Sequence, residues 1–110
     1  MTTPYLELVN LTPHAINLPQ GIVPPSGMIA RVSVTLAPAG YLANDAGNIS
    51  LVRGCYGDVT GLPAAEKNTM FIVSGMVRNA IPDRLDLASP ANLVRDDQGQ
   101  IIGCQSLEIN

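Results

Sequence analysis

Ile29-Ala30-Arg31-Val32-Ser33-Val34-Thr35-Leu36 decides the fold class of this chain. Ala30, Val32, Val34 and Leu36 take one face, and Ile29, Arg31, Ser33 and Thr35 take the other. That two-residue period belongs to a strand, and it predicts a half-buried one. Towards the N-terminus, Tyr5–Leu11 is β-prone, and His14, Ile16 and Leu18 alternate against Ala15 and Asn17. Thr12-Pro13 is a bend between them, because Pro13 cannot donate a ladder hydrogen bond. Gly21 and Pro24-Pro25-Ser26-Gly27 predict a turn segment.

Towards the C-terminus, Pro38, Gly40, Asn44-Asp45 and Gly47-Asn48 predict a loop over Ala37–Asn48. Ile49–Cys55 reads as a strand that Tyr56–Gly61 continues after a bulge or turn at Gly54 or Gly57. A loop from Leu62 to Asn68 follows. Met70–Val73 is a compact apolar run, the pattern of a central strand. The period then changes: Met76, Val77, Ala80 and Ile81 fall on one side of a short helix over Gly75–Ile81. Pro82 ends it, since the residue before a proline avoids the helical region. Arg84–Ala91 reads as irregular. Asn92–Arg95 and Ile101–Ile109 flank Asp96-Asp97-Gln98-Gly99, a hairpin signal. The sum is a single domain over 1–110 of mainly β class, a β-rich α+β fold. It predicts a curled antiparallel sheet or small sandwich with one short helix.

The chain has 110 residues, 46% of them apolar and 14% charged, which excludes a disordered chain. A surface with so few charges points to a homo-oligomer. Net charge is -3 and Lys67 is the sole lysine, so a broad phosphate-neutralising face is excluded and with it general nucleic-acid binding. No apolar run is long enough to span a bilayer, and Met1–Tyr5 lacks the features of a signal peptide. Cys55 and Cys104 are expected as reduced, buried thiols.

A single histidine and the lack of a Cys-x-x-Cys pair leave no usual zinc site, and no Gly-rich phosphate loop is present. No cofactor is expected. Ser74-Gly75 stands at a strand-to-helix step, but Ile72 occupies the first glycine position of a Gly-x-Ser-x-Gly elbow, so no catalytic serine is assigned and the chain is not read as an enzyme. Ser74 is instead expected to cap the helix. A helix start attracts anions, Arg78 lies four residues on, Arg84 follows Pro82, and Arg31 leaves the polar face of its strand. Arg31, Ser74, Arg78 and Arg84 are therefore the candidate ligand-binding residues, a pocket for phosphate or carboxylate. The competing reading pairs Arg78 and Arg84 with Asp83, Asp86 or Asp96 as structural ion pairs. His14, at the end of an apolar face, is expected as a half-buried structural residue. Asn10 and Thr12 are expected to satisfy backbone groups in the bend. Phe71 is expected in the core, and Tyr41 either on a ligand base or at a subunit contact.

Asn10-Leu11-Thr12-Pro13-His14-Ala15-Ile16 resembles the start of a widespread group of small proteins encoded in bacteriophage and prophage genomes. The likeness continues through Pro25-Ser26-Gly27, Ala30-Arg31-Val32, Gly61-Leu62-Pro63 and Phe71-Ile72-Val73-Ser74. Val77-Arg78, Pro82, Arg84, Asp86, Pro90, Arg95-Asp96, Gly99 and Ile102-Gly103 extend it over nearly the whole chain, Ala37–Asn48 excepted. The resemblance implies a phage origin and a host-cytoplasm setting, and supplies no mechanism. The resulting expectation is a phage accessory protein acting by binding: an anti-defence sponge that sequesters a small anionic, phosphorylated nucleotide. The alternatives are a protein-binding inhibitor of a host factor and a minor virion or assembly component.

Overall fold

The computed structural model describes residues 7–110. The part of the first expected strand before Glu7 lies outside them, as do Met1–Tyr5. Eight strands and one helix follow in order. They are β1 (Glu7–Asn10), β2 (Ile16–Leu18), β3 (Gly21–Val23), β4 (Arg31–Asn44), β5 (Gly47–Thr60), β6 (Thr69–Ile72), α1 (Gly75–Ala80), β7 (Leu87–Arg95) and β8 (Ile101–Ile109). The fold is β-rich with one short helix, as the sequence predicts, and the sheets do not close into a barrel.

The central sheet runs β1-β6-β7-β8. β6 is parallel to both β1 and β7, and only β7–β8 is antiparallel. The sheet is therefore mixed. Parallel neighbours need a crossover, and α1 provides it between β6 and β7. The change of period after Val73 is the mark of that crossover in the sequence.

β6 is central, and every residue from Thr69 to Ile72 is buried. Its apolar run fits a strand covered on both faces. On one side Phe71, Val73, Val77 and Leu87 pack with Leu11 and Ala30. On the other, Ile72 and Cys104 pack with Ile16 from the β2–β3 hairpin, supported by Leu18, Val23 and Leu107. The expectation for Phe71 holds, with 2% of its surface exposed.

Three segments differ from their sequence reading. Gly21–Val23 is a strand, paired antiparallel to β2. Leu87–Ala91 belongs to β7, because pairing with β6 and β8 overrides the weak local signal of a stretch with Asp86 and Pro90. The largest change concerns Ala37–Asn48. Most of it is strand, in a ribbon whose two strands have 14 residues each. Pro38 is tolerated because a two-stranded ribbon has only edges. Gly40, at φ 102°, sits in a bulge where the register shifts between Pro38 and Tyr41. A second shift between Val32 and Val34 sets Gly57 and Asp58 of β5 against the single residue Ser33, the bulge expected near Gly57.

Among the described residues, the ribbon pairs with no other strand. Only its base reaches the body, where Val32 and Val59 pack on the core beside α1. Leu36 and Tyr41 are 68% and 76% exposed. The expected half-buried strand is thus buried only at its beginning, and the rest of β4 and β5 forms an arm. The radius of gyration is 17.4 Å, against about 13 Å for a compact domain of this length.

Candidate functional site

The residues expected to bind an anion fall into two groups. Ser74 is the N-cap of α1: its Oγ accepts a hydrogen bond from the Val77 N–H at 3.2 Å. That removes one of the unsatisfied donors of a helix start. Arg78 is buried, although an arginine is rarely so. Its Nε donates to Ser89 Oγ at 2.8 Å, and one terminal nitrogen donates to Asn110 Oδ1 at 3.1 Å. The other terminal nitrogen lies 3.0 Å from the Glu108 carboxylate. The buried side of α1 is therefore Val77 and Arg78, while Met76, expected on the apolar face, is exposed.

Asn110 organises the opposite end of the same helix. Its Nδ2 donates to the carbonyls of Arg78, Ile81 and Arg84 at 3.3, 3.0 and 3.0 Å. The Arg78 and Ile81 carbonyls also accept the Ile81 and Arg84 N–H groups, so Asn110 adds a second donor at the helix end and the following turn. Arg84 pairs with Asp86 through two parallel bonds of 2.7 and 2.8 Å and donates to the Pro63 carbonyl at 3.1 Å. The hydrogen bond from Arg84 holds the Asp86 carboxyl below its usual range, outweighing the opposing effect of burial. The Arg84–Asp86 pair is one of the structural pairings weighed from sequence. Arg78 uses Glu108, which that reading did not include. Asp96 instead accepts the Gln98 and Gln100 N–H groups within its own hairpin turn.

Arg78 meets Asn110 through its side chain and Arg84 through its backbone carbonyl, and both guanidinium groups are already hydrogen-bonded to other partners. An incoming phosphate would compete with Glu108 and Asp86. Arg31 is exposed at the start of the arm, and among the described residues it forms no ion pair and no side-chain hydrogen bond with the other candidates. Ser89, Glu108 and Asn110 are the partners that sequence reasoning missed. They lie 11, 30 and 32 residues from Arg78, and no local pattern marks such distant pairs.

The Asn10-Leu11-Thr12-Pro13-His14 segment is a structural knot. Asn10 is 1% exposed. Its Nδ2 donates to the His14 and Val23 carbonyls at 2.8 and 3.1 Å. Its Oδ1 accepts from Thr12 N and Oγ1 at 2.9 and 2.7 Å. Asn10 and Thr12 satisfy backbone groups of the bend, as expected. The His14 ring is exposed rather than half-buried, because the segment is anchored through the His14 carbonyl and not through its imidazole. Cys104 is buried and Cys55 is exposed on the arm, so the expectation of two buried thiols holds for one of them.

Among the described residues, two surfaces stand out as uncommitted. A groove of about 510 Å³ lies between β2 and the β7–β8 face, lined chiefly by His14, Ile16, Leu93, Ile101, Ile102 and Cys104. No lysine, arginine or carboxylate lines it, and the Asn17 amide at its edge already donates to the Ile102 carbonyl at 2.9 Å. Such a groove suits an apolar group, and the His14 imidazole holds the one ionisable nitrogen group in its lining. The second surface is the arm, where Val34, Leu36, Tyr41, Leu42, Val52 and Tyr56 are all exposed. Among the described residues, no cluster of three or more His, Cys, Asp or Glu groups could hold a metal ion. No helix among them is long and apolar enough to cross a membrane. Comparison with protein-family models, with curated proteins and with solved structures finds no match to this chain.

Proposed function

We propose that this chain is a bacteriophage accessory protein of the host cytoplasm that acts by binding a protein rather than by catalysis. One observation carries the reading: the β4–β5 arm holds its large apolar side chains out in water, away from the core. Contiguous exposed apolar surface of this kind marks interaction sites in natural proteins. An isolated two-stranded ribbon is marginally stable in water. A partner laid on it would supply the third layer that the ribbon lacks. The phage setting rests on the sequence resemblance.

The test is stoichiometric capture from host lysate with the wild-type protein and with the arm variant Leu36→Thr/Tyr41→Thr/Val52→Thr. A partner held by the first and released by the second is the expected result. Capture that does not depend on the arm contradicts the reading. The rival reading, sequestration of a phosphorylated nucleotide, draws on Arg31, Arg78 and Arg84. It predicts a rise in melting temperature with a cyclic dinucleotide or a cyclic ADP-ribose isomer that Arg84→Ala abolishes. No rise with the wild-type protein removes that rival for the ligands tried.

A further inference from the structure

The two faces of the arm differ, and the difference identifies an occupant. Cross-strand partners share a face, so the register places Val32 with Val59, Val34 with Tyr56, Leu36 with Gly54, Pro38 with Val52, and Tyr41 with Ser50 on one side. Val32 and Val59 pack on the hydrophobic core, so this side is the outward continuation of the core's own surface. None of these paired residues is charged; Asp58 stands unpaired in the bulge opposite Ser33, at the base of the arm. The charges of the paired ribbon, Arg31 and Arg53, lie on the other side with Thr35 and Thr60. Asp45 stands in the turn at the tip, the one charge between Val32 and Val52.

We infer that the core-side face of the arm is the contact surface for a second copy of this chain. The inference rests on the reading of the arm as a binding surface and names what covers this face. Symmetry supplies the first argument. A two-fold contact sets a patch against itself, so a charge near the axis meets its own like charge. A face whose paired positions hold no charge escapes that repulsion, and a chain of net charge -3 has reason to keep its carboxylates off the contact. A foreign partner recognised through electrostatic complementarity would leave charges among the paired positions of this face, and there are none.

Area supplies the second argument. Leu36, Tyr41, Val52 and Tyr56 are 68%, 76%, 55% and 54% exposed, and Val34 is 39% exposed. Scaled by these fractions, the five residues expose roughly 600 Å² per chain, their backbone and the two phenol oxygens included. The smaller residues of the same face bring the total towards the ~800 Å² per partner of a standard stable complex. One arm laid on another is therefore large enough to hold a dimer.

Sedimentation equilibrium of the full chain tests this. The wild-type protein is expected at twice its 11.6 kDa mass. The variant Leu36→Thr/Tyr41→Thr/Val52→Thr keeps residues that favour strands and is expected as a folded monomer. Leu85→Ser alters an apolar residue that is 67% exposed outside the arm and is expected to leave the dimer intact. A folded triple variant that still dimerises overturns the inference. So does a wild-type protein that stays monomeric at its highest soluble concentration. In that second case, arm-dependent capture of a host protein would still uphold the binding reading, so the two failures are distinguishable. Tyr41→Trp gives an independent readout without disrupting the arm, since the chain has no other tryptophan. Its emission is expected to move to shorter wavelength as concentration rises, and emission that stays at the fully exposed wavelength overturns the inference.

Discussion

Single side chains in this protein serve mainly to close the backbone. Asn10 is the clearest case, with both amide groups fully used and almost no surface exposed. Replacing Asn10 by Ala leaves the His14 and Val23 carbonyls without that donor. The expected cost is about 3 kcal/mol in urea unfolding, since buried groups lose their partners. Asp86 gives a pH-dependent case. Its folded-state pKa is depressed by the Arg84 hydrogen bond, so its contribution is present above the unfolded value of about 3.9 and is lost as pH falls through the folded value. Asp86→Asn is expected to cost about 2 kcal/mol near neutral pH. That difference from wild type should shrink as pH drops below about 4. An Asp86→Asn penalty that is constant down to low pH would show that the carboxylate charge is not what stabilises the pair. The roles of Asn10, Thr12 and Ser74 were legible in the sequence because capping and Asx bonds are local. The partners of Arg78 were not, because Ser89, Glu108 and Asn110 meet it only through the register of β7 and β8.

At the scale of elements, patterns with a local cause were readable. Ser74 and Pro82 bracket α1, Asp96–Gly99 marks the β7–β8 turn, and the apolar run at Met70–Val73 marks the buried strand. The arm was misread for a physical reason. Pro38, Gly40, Asn44 and Gly47 are loop residues by propensity, yet each has a place in an unaccompanied ribbon: an edge position, a bulge and the turn itself. The alternation over Ala30–Leu36 is that of a half-buried strand, and its apolar face does start in the core at Val32. What the pattern cannot say is that the globular body ends two residues later. Gly61 fixes where the arm returns. It has φ 78°, and a Cβ there would fall 2.1 Å from the Ile29 carbonyl oxygen. Gly61→Ala is expected to destabilise the fold by about 2 kcal/mol or more through strain and steric displacement, measurable as a lowered melting temperature. A neutral effect would mean that the base of the arm has slack that this geometry does not show.

The whole molecule divides into a body whose central sheet is packed on both faces and an arm with none of that cover. The body accounts for the buried groups, and the arm for most of the surface that an isolated chain would not be expected to keep. The candidate anion site, drawn from sequence at Arg31, Ser74, Arg78 and Arg84, becomes at this scale a set of internal ties around the helix, with Arg31 apart on the arm. The inferred dimer requires a second copy to cover the core-side face of the arm. Amide hydrogen exchange across 34–56, measured on dilute and on concentrated protein, reads this directly. Exchange in this segment is predicted to slow at high concentration while Thr69–Ile72 in the central strand stays unchanged. Exchange across the arm that is equally fast at both concentrations would contradict the dimer.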